Sequence, residues 1–264
     1  MPRFFHAFRK RLLRGNRLTR YLVYALGEIV LVVIGILIAL QLNLLKEERN
    51  QRWQELETLE QLHEEFQDNL KQLDEKITMR QAMIRSALQL LAMHDDSTHI
   101  APDSVEYLIA RTTVNPTFDP ITNDLIGSGR LYLISNPDLR RMLSRWTSDV
   151  AQITEEEQAW ITLNRQSWTP FLQGHFPMRN IHAAKWSGLD VVNTLLLDKG
   201  QGDQWTMGRS SRAPDLKTLF AQPQFEDLAS MVASASMFAN RQSEALRRNI
   251  VQILELIDAE LKKN

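Results

Sequence analysis

From Tyr21 to Leu45 the chain is apolar almost without interruption, and Glu28 is the only charge within it. At 1.5 Å per residue, a helix of this length crosses ~30 Å of hydrocarbon with some tilt. The pattern then changes. Leu56, His63, Leu70, Ile77, Ile84 and Leu91 fall seven apart, and Leu59, Phe66, Leu73, Arg80 and Ala87 fall three after them. Leu62 widens this stripe, which has the spacing of a and d positions in a coiled coil. No proline or glycine lies between Gly35 and Pro102. The spacing predicts one helix from the membrane segment to about Met93, with Leu59, Phe66, Leu70, Leu73, Ile77 and Ile84 buried. The sequence HDDSTHIAPDS ends it, and Asp103 or Ser104 is placed to cap a short helix reaching Thr113.

Further on, Asn115-Pro116 and Asp119-Pro120 signal turns, and Ser128-Gly129 breaks the stretch after them. In SNPDL, Asn136 is a candidate N-cap, with Pro137 at the first helical position and Asp138 in the electropositive first turn. Leu139, Leu143, Trp146, Val150, Ile153 and Trp160 follow at helical spacing, up to Trp168-Thr169-Pro170. Residues 171–222 are the least regular part, with one short helix expected near 189–198. A last helix starts at Pro223, and Phe225, Leu228, Val232, Ala235, Ala239, Leu246, Ile250, Ile253, Ile257 and Leu261 make its apolar face. No run alternates like a strand. The predicted fold is all-α: an N-terminal transmembrane helix continuing into a long amphipathic helix of an antiparallel helical bundle. The expected organisation is a basic segment over 1–20, a transmembrane helix over 21–45, and a helical-bundle domain over 46–264 with its irregular region at 171–222.

Charge orients this picture. Arg3, Arg9, Lys10, Arg11, Arg14, Arg17 and Arg20 precede the apolar run with no acid among them. The positive-inside rule puts that flank in the cytoplasm and the main domain outside, in the periplasm of a bacterial inner-membrane protein. A cleaved signal peptide would have a shorter apolar core and a small-residue cleavage site, so an uncleaved signal anchor is expected. Beyond Leu45 the chain carries 24 basic and 31 acidic residues. Such a surface does not favour polyanions, and no nucleic-acid partner is expected. Cysteine is absent, which excludes disulfides and thiolate chemistry.

Glu28 sits ~10 Å into the span. Steps of three and four put Ala25, Glu28, Val32, Gly35, Ala39 and Asn43 on one stripe. Small residues let helix backbones approach, and polar side chains hydrogen-bond between helices. Three readings fit Glu28: its carboxylate snorkels to the headgroups, it joins a helix–helix contact in an oligomer, or it carries protons or ions.

The stretch YALGEIVLVVIGILIALQLN followed by a charged helix resembles an uncharacterised bacterial membrane family, domain of unknown function family 6090. Gly27, Glu28, Ile29, Gly35, Ala39, Gln41 and Asn43 match its first block, with Leu44-Leu45 in place of its usual tryptophan region. Phe118, Pro120, Leu125, Ser128, Gly129, Leu131, Leu133, Ile134, Asn136, Leu139 and Arg140 match the second. The resemblance implies the single-pass topology and brings no known activity.

Other candidate chemistry is sparse. His94, Asp95, Asp96 and His99 cluster at a helix end, yet nothing forces a ligand set, and no metal or cofactor is expected. His175 and His182 lack a nucleophile or an HExxH pattern, and GSG at 127–129 is no phosphate loop. Glu155-Glu156-Glu157 reads as a solvated helix face. Trp146, Trp160 and Trp168 read as core, whereas Trp186 and Trp205 stand in a polar stretch as loop anchors or partner contacts. No catalytic constellation is legible. The expected role is an oligomeric scaffold or accessory subunit of an envelope assembly, in contact with the bilayer, itself or another membrane protein. A proton- or ion-coupled motor subunit using Glu28 and a ligand-sensing bundle are the alternatives.

Overall fold

The computed structural model describes residues 17–96, 101–121, 130–187 and 206–263. Helix α1 spans Arg17–Asp95 and α2 Pro102–Thr112; a 3-10 turn, Arg130–Leu133, leads to α3, Pro137–Leu163. A π-helical turn, Asn164–Trp168, passes directly into α4, Thr169–His175, and α5 covers Met178–Ser187. Helix α6, Leu216–Phe220, precedes α7, Pro223–Leu261. No strand occurs among the described residues. The all-α expectation and the unbroken first helix hold. The chain divides into two compact units, residues 1–57 and 58–264.

In the first unit, residues 21–51 are all exposed. Helix α1 is long and apolar enough over this stretch to cross a membrane, and none of its most apolar window is buried.

The second unit is a bundle. Helix α7 runs antiparallel to α1: His63 pairs with Asp258 at 3.1 Å, and Asp74 with Arg247 at 2.6 Å. It is also antiparallel to α3, where Asn136 donates to Glu260 at 2.7 Å and Asn249 to Asp149 at 3.1 Å. The core has two clusters. One holds Leu59, Phe66, Trp146, Ile153, Ile250 and Ile257, the other Met83, Leu90, Trp160, Trp168, Phe171 and Phe225, among others.

Four sequence expectations need correction. The buried stripe of α1 is rotated. Its Leu59–Phe66–Leu73–Arg80–Ala87 line is buried, but the companion line is Leu62, Asn69, Lys76, Met83 and Leu90. Leu56, His63, Leu70, Ile84 and Leu91 are only half-buried; Ile77 alone of that row is buried. Hydrophobic periodicity missed the true line because Asn69 and Lys76 interrupt it.

Second, Trp168-Thr169-Pro170 does not stop the helix. The helix runs on through Pro170, whose missing N–H falls where the π turn gives way to α4. The π turn absorbs the change of register: the Thr169 N–H donates to Asn164 O, and the Thr169 hydroxyl donates to Asn164 Oδ1 at 2.9 Å. Third, part of the supposedly irregular region is helical, since it contains most of α4 and all of α5 and α6. The short helix expected near 189–198 lies outside the described residues. Helix α2 is entered from Ala101 with Pro102 at its first turn, so neither Asp103 nor Ser104 caps it. The Asn136 cap stands: its side chain accepts from the Asp138 and Leu139 N–H groups at 2.9 and 3.1 Å.

Candidate functional site

Ala25, Glu28, Val32, Gly35, Ala39 and Asn43 all lie on α1 and are exposed in the chain. At 100° per residue they share an arc of about 80°. No atom lies within 4 Å of where a Gly35 Cβ would stand, so this face is open to another helix backbone. Trp186, 47 % exposed, is in the last turn of α5. Trp205 lies outside the described residues. Trp146, Trp160 and Trp168 are core, as their spacing implied. Among the described residues no group of histidine and acidic side chains is arranged to hold a metal.

The most unusual chemistry is internal. Arg80 on α1 donates from Nη1 to Ser243 Oγ on α7 at 2.6 Å, and from Nη2 to Glu157 Oε1 on α3. The other carboxylate oxygen, Oε2, accepts the Phe118 N–H at 2.8 Å. Both ion-pair side chains are buried, at 3 % and 2 % exposure. Burial pushes the Glu157 carboxyl up to about 7, against the downward pull of Arg80, the Phe118 N–H and Lys76. Burial also lowers the Arg80 guanidinium, and Glu157 counters that shift. A cavity of about 10 Å³, with room for one water molecule, adjoins Arg80, Glu157, Trp160 and Ser236. The reading of Glu155-Glu156-Glu157 as a solvated face fails at its third member, because Glu157 points into the core.

The Phe118 contact belongs to a larger arrangement. Residues 114–121 lie in neither helix nor strand, and side chains supply partners for part of their backbone. Asn69 donates to Ile121 O at 3.0 Å and accepts from Ile121 N at 2.7 Å. Gln72 does the same to Asp119, at 3.0 and 2.9 Å. Trp160 Nε1 donates to Val114 O at 2.9 Å, and Asn164 Nδ2 donates to Thr113 O at 3.3 Å. Pro116 and Pro120 have no N–H to satisfy. The two amides on α1 thus act as rungs of a one-sided ladder, pairing backbone groups that no helix or strand serves.

A second carboxylate is buried at Glu106 on α2, which accepts from Asn180 Nδ2 at 2.7 Å and Arg209 Nη2 at 2.6 Å. Arg209 also reaches Asp103, and Asn180 Oδ1 accepts from Ser210 N, both within 3 Å. This network ties the segment entering α6 to α2 and α5.

Periodicity alone had a signal for the central ion pair. Arg80 occupies a place in the apolar line of α1. Glu157 fills the gap between Ile153 and Trp160, and Ser243 the gap between Ala239 and Leu246. A polar residue in the same gap of three stripes is the pattern a buried layer leaves. Glu106 and Asn180 had no such signal, because their partner Arg209 lies in an aperiodic loop.

An all-helical chain with an exposed, membrane-length apolar helix near its N-terminus is the class these observations define. Residues 28–139, about two-fifths of the chain, match a family of unknown function, DUF6090. The family region opens at Glu28 and closes at Leu139, so it takes in the apolar-helix stripe from Glu28 onward, Arg80 and the clamped 113–121 segment. No curated protein and no solved structure matches the chain.

Proposed function

We propose that the chain is a non-catalytic, single-pass membrane protein that acts by protein–protein contact, as an oligomeric scaffold or accessory subunit of an envelope assembly. The observation that carries this reading is the wholly exposed apolar stretch of α1, a surface that water does not tolerate at this length. Its partners on this reading are the bilayer and a second membrane helix. The basic residues before Tyr21 favour a cytoplasmic N-terminus, with the bundle in the periplasm. The open Gly35 position and Glu28 on one arc favour helix–helix contact over simple anchoring. Support for assembly over chemistry comes from the main buried ion pair, which is sealed inside the bundle and holds three helices together.

Gentle extraction from the native membrane, followed by identification of what co-purifies, tests the reading. Self-association, or recovery with other envelope proteins, is expected. A monomer without companions contradicts it. A multi-pass partner whose activity requires an ionisable Glu28 would put the proton-coupled motor in its place.

A further inference from the structure

Just beyond the apolar run, α1 sorts its charges by face. Lys46, Arg49 and Trp53 follow Leu42 at steps of four, three and four, within an arc of about 60°. Glu47, Glu48 and Glu55 lie about 100° to 180° away from Lys46 around the same helix. Glu57 and Glu60, one and two turns beyond Trp53, return to the stripe. Glu55 is tied to Arg52 at 2.7 Å, whereas among the described residues neither Lys46 nor Arg49 has an ion-pair partner. All three stripe residues are exposed, Trp53 by 66 %. A tryptophan this exposed, aligned with two unpaired cations one and two turns below it, is unusual on a merely solvated helix face.

The axial position fits a lipid headgroup layer. Helical side chains slope toward the N-terminus and cover the turn before their own Cα. On this side of the span that direction is membrane-ward. Trp53 lies ~12 Å beyond Leu45 along the axis, but its ring covers the level of residues 49–50, ~6–8 Å beyond Leu45. The headgroup region on each side of the hydrocarbon is ~5–8 Å thick. Lys46 and Arg49, sloping the same way, reach the level where lipid phosphates lie. Tryptophan favours this zone because its ring is apolar and its N–H finds polar partners there.

We infer that Leu42, Lys46, Arg49 and Trp53 form a docking face for phospholipid headgroups at the far end of the span. The two cations bind lipid phosphate and Trp53 lies among the headgroups. This face fixes the depth of α1 and the direction in which its Glu28 stripe points. The inference rests on the single-pass reading above.

The test uses the full chain in phosphatidylcholine vesicles carrying a nitroxide on the headgroup, with wild type compared to Trp53→Phe. Vesicle flotation of both proteins comes first. The inference predicts that both float, and that most of the lipid-quenched tryptophan emission of the wild type is missing from the variant. Lys46→Gln combined with Arg49→Gln should float equally well but lose at least half of the Trp53 quenching. Flotation with equal quenching in wild type and Trp53→Phe would overturn this inference and leave the single-pass reading standing. Failure to float would overturn both. In phosphate-free detergent, millimolar inorganic phosphate should leave Trp53 emission unchanged; a saturable response would assign the cations to a soluble anion instead of lipid.

Discussion

Arg80 and Glu157 meet at the level where one apolar cluster of the bundle gives way to the other. Ile77 and Ile153 on one side of them belong to the cluster around Trp146, and Met83 and Trp160 on the other to the cluster around Trp168. Ser243 closes the layer from the third helix. An ion pair here contributes less to net stability than to the alignment of three helices, because desolvating two charges offsets much of their attraction.

This relationship sets a mutational signature. Arg80→Met leaves Glu157 buried without its guanidinium and should cost ~3–5 kcal/mol. Arg80→Met together with Glu157→Leu removes both charges and should recover most of that loss, short of what the unpaired Phe118 N–H costs, ~1–3 kcal/mol. Denaturant unfolding of the full chain in detergent compares these two variants with wild type and with Glu157→Leu alone. Additive losses would show that the two side chains act independently.

The same pair makes stability depend on pH. Glu157 holds its proton more tightly in the folded protein, to about pH 7, than an ordinary glutamate at 4.5. Between those values the folded state binds more protons than the unfolded one, so this group's contribution is full below ~4.5 and is lost as pH rises through ~7. The stability difference between wild type and Glu157→Gln should therefore shift against the wild type from pH 4.5 to 7.5, by on the order of 3 kcal/mol. A flat difference, or one that moves the other way, would place the folded-state titration elsewhere.

The side-chain ladder predicts a local effect on exchange. Gln72→Ala removes the acceptor that the Asp119 N–H has among the described residues, and Asn69→Ala that of Ile121. Each substitution should speed exchange of its own amide by at least tenfold and leave the other nearly unchanged. Buried Asn69 should cost more stability than half-buried Gln72, ~2 against ~1 kcal/mol. Uniformly faster exchange over residues 113–121 would mean that the segment is held as one cooperative piece.

How legible this fold was depends on what each element uses to hold itself. Helices α1, α3 and α7 advertise themselves by apolar spacing, and the Asn136 cap by local chemistry; both signals are contained within a dozen residues. The rotation of the α1 stripe was hidden because Asn69 is buried for its hydrogen bonds to Ile121, a contact that no periodicity encodes. Helices α4 and α5 were missed for a related reason. Pro170 reads as a stop unless the π turn before it is known, and Asn180 in α5 is anchored by Glu106, far away in sequence. The Glu28 stripe was legible as a pattern, while the Arg80–Glu157 layer left three coincident gaps whose alignment only the fold supplies.

Phe66 and Leu88 separate core from surface on α1. Phe66 is 2 % exposed, with its ring centroid 4.8 Å from that of Trp146, so Phe66→Ala should cost ~3–5 kcal/mol. Leu88 is 45 % exposed, and Leu88→Ala should cost under ~1 kcal/mol. Thermal or denaturant melts of the two variants check this ordering, and a Leu88 loss equal to that of Phe66 would show that a partner covers it.

On the proposed reading, the Glu28 face of the membrane helix holds copies of the chain, or the chain and a partner, together. Glu28→Gln keeps the hydrogen-bonding shape and should associate nearly as the wild type does. Glu28→Leu and Gly35→Leu should each weaken association by ~1–2 kcal/mol, a fall of roughly five- to thirtyfold. The most direct measurement is the monomer–oligomer equilibrium of the four proteins in lipid nanodiscs or mild detergent, by native mass analysis across a concentration series. Wild type and Glu28→Gln are expected together, with both leucine variants shifted toward monomer. Four indistinguishable curves would contradict it.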